Sequence, residues 1–361
     1  MDLLWFVPSM GDEARLGDPD GALAPSRQHL VRVAQAAEAA GFSGMLVPAG
    51  ELCHDGWIVA ATLAQHTTTM RFLVAFRPGF VAPPVAARMA ATLDRMSGGR
   101  LLLNVVTGGH LEELAKDGDF VHDAAGAWVQ VDHESRYRRT EEFLELVLRS
   151  WHESGFDHDG EFFHVEGGGI AQVPKQEPHP AIYLGGASEH AARIAARLAD
   201  VYLMWGEPVE RMADRAAAAK AAALPRELKV GTRFQLVVRD TDEEARAAAV
   251  DLVGHIDDTY RDRIRGHADK TDSVGQSRQN ELRDLADDEW LSPALWNGFA
   301  RARMGASVAL VGSPTTIADE LERFVAAGID TFILSGHRHD EEAERAGRWL
   351  FPELRRRGHV A

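Results

Sequence analysis

Three arginines, Arg77, Arg233 and Arg303, stand at or near the C-terminal ends of apolar runs, with Asn104, Thr107, Trp205, Glu207 and Gln235 in equivalent places and Cys53 just past another. A guanidinium offers a planar fork of donors that matches phosphate, sulfonate or carboxylate, and it keeps its charge at physiological pH. Three of them at one mouth predict an anionic ligand; the alternative for each is a neighbouring carboxylate. Gly185-Gly186-Ala187-Ser188 leads from such a run into a helical segment, where backbone amides and a hydroxyl suit a phosphate. The same turn reads equally as a tight connection with Ser188 as N-cap. His337-Arg338-His339-Asp340 has the His-x-His spacing of some metallohydrolases, which makes metal-dependent hydrolysis the rival class. Against it, the first run ends in Val7-Pro8-Ser9-Met10 without a ligand, and Arg233 and Arg303 would crowd a cation, so no metal site is expected. Taken alone, scattered histidines such as His54, His66 and His133 read as surface or hydrogen-bonded residues. Neither GxxxxGK[ST] nor a strand-linked GxGxxG occurs, so nucleotide binding of those kinds is unsupported.

An alternation of short apolar runs and longer amphipathic segments must position these residues. LLWFVP (3–8), GMLVP (44–48), RFLVAFRPG (71–79), LLLNVVTGG (101–109), AIYLGG (181–186), VYLMWG (201–206), KVGTRFQLVVRD (229–240), VALVGS (308–313) and TFILSG (331–336) read as strands. Between them HLVRVAQAAEAAGF places Leu30, Val33, Ala34 and Ala37 at helical spacing, and PVAARMAATLDRMSGGR starts on proline and stops on a glycine pair. Repeated β-then-α units mean a parallel sheet under helices, and eight units favour closure into a (β/α)8 TIM barrel with its chemistry at the C-terminal strand ends. The beat breaks after strand 4, where 110–134 is polar, and again between strands 7 and 8. There a charged tract at about 257–300 lacks a clean apolar period and reads as a mobile lid. FDHDGEFFHVEGGG (156–169) reads as a hairpin with a type I′ turn at Asp159-Gly160. One barrel domain over 1–361 is expected.

With 39 Lys and Arg against 55 Asp and Glu, the chain carries a formal charge of −16, which disfavours sequence-independent nucleic-acid binding. Hydrophobic residues at 45% and charged residues at 26% exclude a disordered or fibrous chain. Cys53 is the only cysteine, so an intrachain disulfide or a Cys-based zinc site cannot form, in keeping with a reducing compartment. MDLLWFVPSMGDE lacks the basic leader and apolar region of a signal peptide, and no stretch approaches the roughly 18 apolar residues of a membrane span. The expectation is a cytoplasmic protein with no membrane partner.

Nearly the whole chain resembles the bacterial luciferase-like superfamily of flavin-dependent barrels, and specifically the two-component alkanesulfonate monooxygenases. WFVPSMGD, the Cys53 to Trp57 segment, FLVAFRP, VAARMAATLDRMSGGRLLLNVVTGG, ESRYRRTEEF, YLGGAS, YLMWGEP, TDSVGQSR and ALVGSPTTIADELERFVAAGIDTFILSG carry the resemblance. It implies a luciferase-like TIM barrel, reduced FMN delivered by a separate flavin reductase, and O2 as co-substrate. It further implies a flavin peroxide, oxidative C–S cleavage to sulfite and an aldehyde, and a homodimer or homotetramer. Trp205, Arg233 and Arg303 match the family's sulfonate and oxygen site, where positive charge stabilises developing anionic oxygen. His339 matches a family histidine suited to proton transfer. Asn104, Thr107, Tyr137 and Ser188 match positions that hold the flavin and its phosphate, and Cys53 a cysteine near the flavin; Arg77, His133 and Gly186 complete the expected cofactor-binding set. TDSVGQ matches a mobile lid that excludes water.

Two departures bear on substrate. Where simple-alkanesulfonate enzymes carry a histidine two residues after the first arginine, this chain has Gln235; where they carry tyrosine after the last Ser-Gly, it has His337. Both add compact hydrogen-bonding groups to the pocket, which a polyhydroxylated substrate rewards and a greasy tail leaves unsatisfied. Gln235 and His337 therefore join the expected catalytic set, and the expected substrate is a sugar sulfonate such as sulfoquinovose, giving 6-oxo-glucose. Aliphatic alkanesulfonates are the alternative. A deazaflavin-dependent dehydrogenase, a flavin carrier and a metal-dependent hydrolase stand behind it. The chain is also expected to lack the longer tail of some alkanesulfonate enzymes.

Overall fold

Aliphatic runs bounded by polar turns become parallel strands in the computed structural model, which describes residues 1–18, 20–123, 125–285 and 289–360. Residues 19, 124, 286–288 and 361 lie outside it, 124 and 286–288 within the two expected insertions. The strands are β1 (Asp2–Phe6), β2 (Gly44–Val47), β3 (Arg71–Phe76), β4 (Leu101–Val105), β5 (Ile182–Gly185), β6 (Val201–Trp205), β7 (Lys229–Val238), β8 (Ala309–Gly312) and β9 (Thr331–Ser335). Eight pair in the order β1-β2-β3-β4-β5-β6-β7-β9, and β9 closes on β1, so the chain is a (β/α)8 barrel.

Side chains alternate across the wall. Leu4, Phe6, Leu46, Leu73, Leu102, Leu203 and Ile333 fill the interior, while Leu3, Trp5, Val7, Phe72, Val74, Leu103 and Phe332 pack beneath the helices. Strands buried on both faces need apolar residues throughout, which is why the runs are continuous rather than alternating. The connections into the helices carry capping residues: Ser26, Asp55, Asp132, Ser188, Thr241 and Ser313 each accept a first-turn amide. Every such cap lies at the end of the barrel that carries the C-terminal strand ends.

Four expectations change. VALVGS forms β8 outside the closed ring, because β7 is ten residues long and is used twice. Up to Arg233 its edge belongs to β6, and from Gln235 the same edge is taken by β8, while Gly231–Gln235 pairs β9 on the other edge. The 156–169 hairpin forms, but its last pair is Asp159 with His164, so four residues make the turn, and Gly160 has no positive φ as type I′ would require. The polar 110–134 segment holds a short helix, Leu111–Lys116, and a small antiparallel pair, Phe120–His122 with Trp128–Gln130. The charged tract contains two helices, Asp258–Ala268 and Val274–Leu285. Among the described residues no helix is long and apolar enough to cross a membrane.

Candidate active site

A cavity of about 310 Å³ opens at the C-terminal strand ends. Leu46, Ala75, Asn104, Leu203 and Arg233 form its floor and walls, the turns at 106–110 and 185–187 its rim, and 273–276 of the charged tract its roof. Its size falls within the range of small-molecule sites.

Arg233 enters from the inward face of β7, its guanidinium carbon 4.1 Å from the ring centre of Phe6. Its Nε and Nη2 are buried without a hydrogen-bond partner. Burial and then the like charge of Arg303 pull the guanidinium well below its usual pKa, with Cys53 acting weakly the other way. Burial also brings Arg303 down to about 10, against Tyr260, and among the described residues the one hydrogen bond of its side chain is Nε to the Met304 carbonyl at 3.4 Å. Among the described residues neither arginine has a carboxylate partner. Arg77 does: it lines the cavity but donates to Glu113 at 2.5 Å and Asp117 at 2.6 Å. Of the three arginines expected to hold an anion, two are free to do so.

His337 stacks on Phe299, ring centres 5.4 Å apart, with its ring nitrogens buried near the Glu13 backbone and outside the residues that line the cavity. Burial, His339 and Arg303 hold it neutral, with a pKa down at about 3. Gln235 differs from expectation. It is 1% exposed, accepts from Ser335 Oγ at 3.0 Å and donates to the Ala306 carbonyl at 3.0 Å, so both ends of its amide are engaged in the wall. It steadies the segment that carries Arg303 and lies outside the residues that line the cavity. His339 is buried, its Nδ1 2.8 Å from Asp12 Oδ1, with His29 on the other carboxylate oxygen at 2.9 Å. Burial raises the Asp12 carboxyl, yet His339 and His29 together hold it well below the usual carboxylate range. His337 and His339 lie 6.2 Å apart at their ring centres, and His339 Nδ1 is engaged by Asp12.

The expected cofactor residues divide. Asn104, Thr107, His133, Tyr137 and Gly186 line the cavity, and Asn104 Oδ1 is buried without a donor. A Cβ on Gly186 would lie 2.6 Å from that of Ala191 and 3.2 Å from Tyr137 Oη, so only glycine brings this turn against the helix. Ser188 lies outside the lining residues and uses its hydroxyl as the N-cap of Glu189–Leu198, accepting from Ala191 at 3.1 Å. Cys53 is half-buried beside Gly50, and burial raises its thiol, with Ser9 opposing. Trp205 ends β6 under the roof, where a Cβ on Gly275 would sit 3.3 Å from its ring.

The roof is held by polar contacts. Thr271 Oγ1 and the Asp272 amide donate to the Gly109 carbonyl at 2.6 and 3.1 Å, and Asp272 pairs with the buried Arg136 at 2.5 Å. Gln276 accepts from the Gly305 amide, while Gln279 donates to the Gly206 carbonyl and accepts from Ser307. Asp12, His29, Gln276 and Gln279 were not in the expected set. Asp12 stands at the first strand's exit in WFVPSMGD, and the two glutamines are three residues apart, one helical face.

A family model described as luciferase-like monooxygenase matches residues 1–331. Among solved structures, the EDTA monooxygenase EmoA from Chelativorans sp. BNC1 superimposes with TM-score 0.78 at 19% identity, over 100% of this chain and 95% of that one. The riboflavin lyase RcaE, solved with modified FMN and riboflavin, gives 0.76 at 20%, over 100% and 93%. The long-chain alkane monooxygenase LadA gives 0.75 at 19%, over 99% and 92%. At these identities the structural likeness speaks for the shared fold.

Proposed function

The chain belongs to the luciferase-like monooxygenase family, and from that premise we propose that it is a two-component monooxygenase that cleaves the C–S bond of an organosulfonate. Reduced FMN from a separate reductase and O2 would be its co-substrates, and sulfite and an aldehyde its products. The observation that carries the reading is the pair Arg233, in the cavity wall, and Arg303, buried near enough to depress its pKa, with no carboxylate paired to either among the described residues. Two such cations call for an anion with several acceptor oxygens, and a sulfonate supplies three.

The cavity's donor set suits a flavin. Asn104 Oδ1, an orphaned acceptor in the floor, fits an N–H on the ring edge, and the 185–187 turn at a helix N-terminus fits a phosphate. When bound, the reduced flavin would supply activation of dioxygen. Arg233 and Arg303 would bind the sulfonate and stabilise anionic oxygen, Trp205 and the 273–276 roof would exclude water, and His339 would move the proton. His337, a buried neutral ring beside Arg303 and outside the residues that line the cavity, is the polar group that supports a sugar sulfonate such as sulfoquinovose. With Gln235 engaged elsewhere, that preference rests on His337.

Sulfite release with reduced FMN, O2 and a flavin reductase tests this, comparing sulfoquinovose with linear alkanesulfonates. Sulfite from the sugar is expected. Sulfite from alkanes alone would remove the role given to His337, and none from any sulfonate would overturn the C–S reading.

A further inference from the structure

We propose that Asp12 is the positioning residue for His339, fixing its proton on Nδ1 and leaving Nε2 as the one nitrogen able to exchange a proton with the site. The proposal rests on the reading of His339 as the proton-transfer group.

Asp12 has a side chain with no exposed surface, and four donors fill its carboxylate. Oδ1 accepts from the Arg338 amide at 3.1 Å and from His339 Nδ1 at 2.8 Å; Oδ2 accepts from the His339 amide at 2.9 Å and from His29 Nε2 at 2.9 Å. An ionised carboxylate only accepts, so the facing nitrogen of His339 must carry hydrogen. The rest of the residue is pinned as well, since Trp5 Nε1 donates to the His339 carbonyl at 3.2 Å. Asp12 is itself fixed by a two-way backbone pairing with Leu23 at 3.0 and 2.8 Å.

The two histidines on this carboxylate are not equivalent. His29 uses both nitrogens, Nε2 on Asp12 and Nδ1 accepting from Arg32 at 3.1 Å, so both are occupied and the ring is part of the support. His339 uses only Nδ1, and among the described residues its Nε2 has no protein partner. Its ring centre lies 5.8 Å from that of Phe6, whose own ring carries Arg233. A carboxylate in this place would stabilise the imidazolium formed when Nε2 takes up one proton from the reacting group. That proton returns to water, Nδ1–H stays on Asp12, and no electrons move. Among the described residues the other charged or titratable groups facing the pair are His337, with Arg303 behind it, and Arg32 with Asp340 behind His29. Asp12, His29 and Asp340 place ligand-type atoms within 4.8 Å of one another. Their hydrogen bonds already use those atoms of Asp12 and His29, and Arg32 is the cation present.

The test is the 15N spectrum of histidine-labelled protein, with His339→Gln identifying the signal, followed by kcat and KM of Asp12→Asn. In the folded wild type His339 is expected as the Nδ1–H tautomer; an Nε2–H ring would overturn the proposal. Asp12→Asn is expected to lower kcat on the order of 10²-fold with KM little changed. A folded Asp12→Asn enzyme with wild-type kcat would also overturn it. If that variant does not fold, the wild-type tautomer decides. The tautomer is read without any substrate, so absence of sulfite release would sink the functional reading separately.

Discussion

Arg233 and Arg303 are worth most to the protein when something anionic lies between them, because a desolvated cation without a counter-charge is costly. Arg303→Ala should therefore lower kcat/KM for the sulfonate on the order of 10²-fold while flavin affinity, followed by fluorescence quenching, stays unchanged. Equal losses of both would place Arg303 on the cofactor instead. His337 predicts an acid limb of stability. Its folded pKa of about 3 lies below the free value of about 6.5, so between those limits the unfolded chain binds a proton that the folded chain refuses. Stability falls as pH drops through that window, and His337→Phe should move the acid-unfolding midpoint, read by tryptophan fluorescence, to lower pH. Residue types showed the anion chemistry in the sequence, but not who was already engaged. Arg77 with Glu113 and Asp117, and Gln235 with Ser335 and Ala306, are pairings across 36 to 100 positions that no local pattern reveals.

The 258–285 helices depend on the barrel more than on an apolar stripe of their own. Gln279, 2% exposed, connects the Gly206 carbonyl to Ser307 and thereby the roof to β6 and to the segment before β8. Gln279→Leu should leave the Gly206 carbonyl and the Ser307 amide unsatisfied at a cost of about 1–3 kcal/mol each, while Ser307 Oγ keeps Asn297 Oδ1. Amide hydrogen exchange over 258–285 should accelerate while β1–β4 stay protected; uniform protection would show that the roof is held otherwise. This dependence also explains why the tract looked irregular in sequence. Hydrophobic periodicity finds elements that bury an apolar face, whereas these bury glutamines and an aspartate against backbone carbonyls and Arg136. β8 was misplaced for a related reason: VALVGS has the composition of a wall strand, and only the length of β7 puts it outside the ring.

At the scale of the whole molecule, closure makes the outer layer the principal apolar core. Phe324, with no exposed surface, stands between Phe234 of β7 and Phe332 of β9 at ring-centre distances of 5.1 and 6.4 Å. Phe324→Ala should destabilise the protein by about 3–5 kcal/mol in denaturant titrations; a change below about 1 kcal/mol would mean this layer repacks freely. The barrel itself was legible because eight βα units admit few arrangements. Its double use of β7 has a further consequence. The insertion departs after the helix that follows β7 and comes home through β8, which docks on β7 again, so both of its attachments sit on one strand. It is a cassette plugged into a single wall stave: its interior can be lengthened, shortened or exchanged with that of another barrel without disturbing ring closure, and with it the contacts above Trp205 and the position of Arg303 would change as one unit.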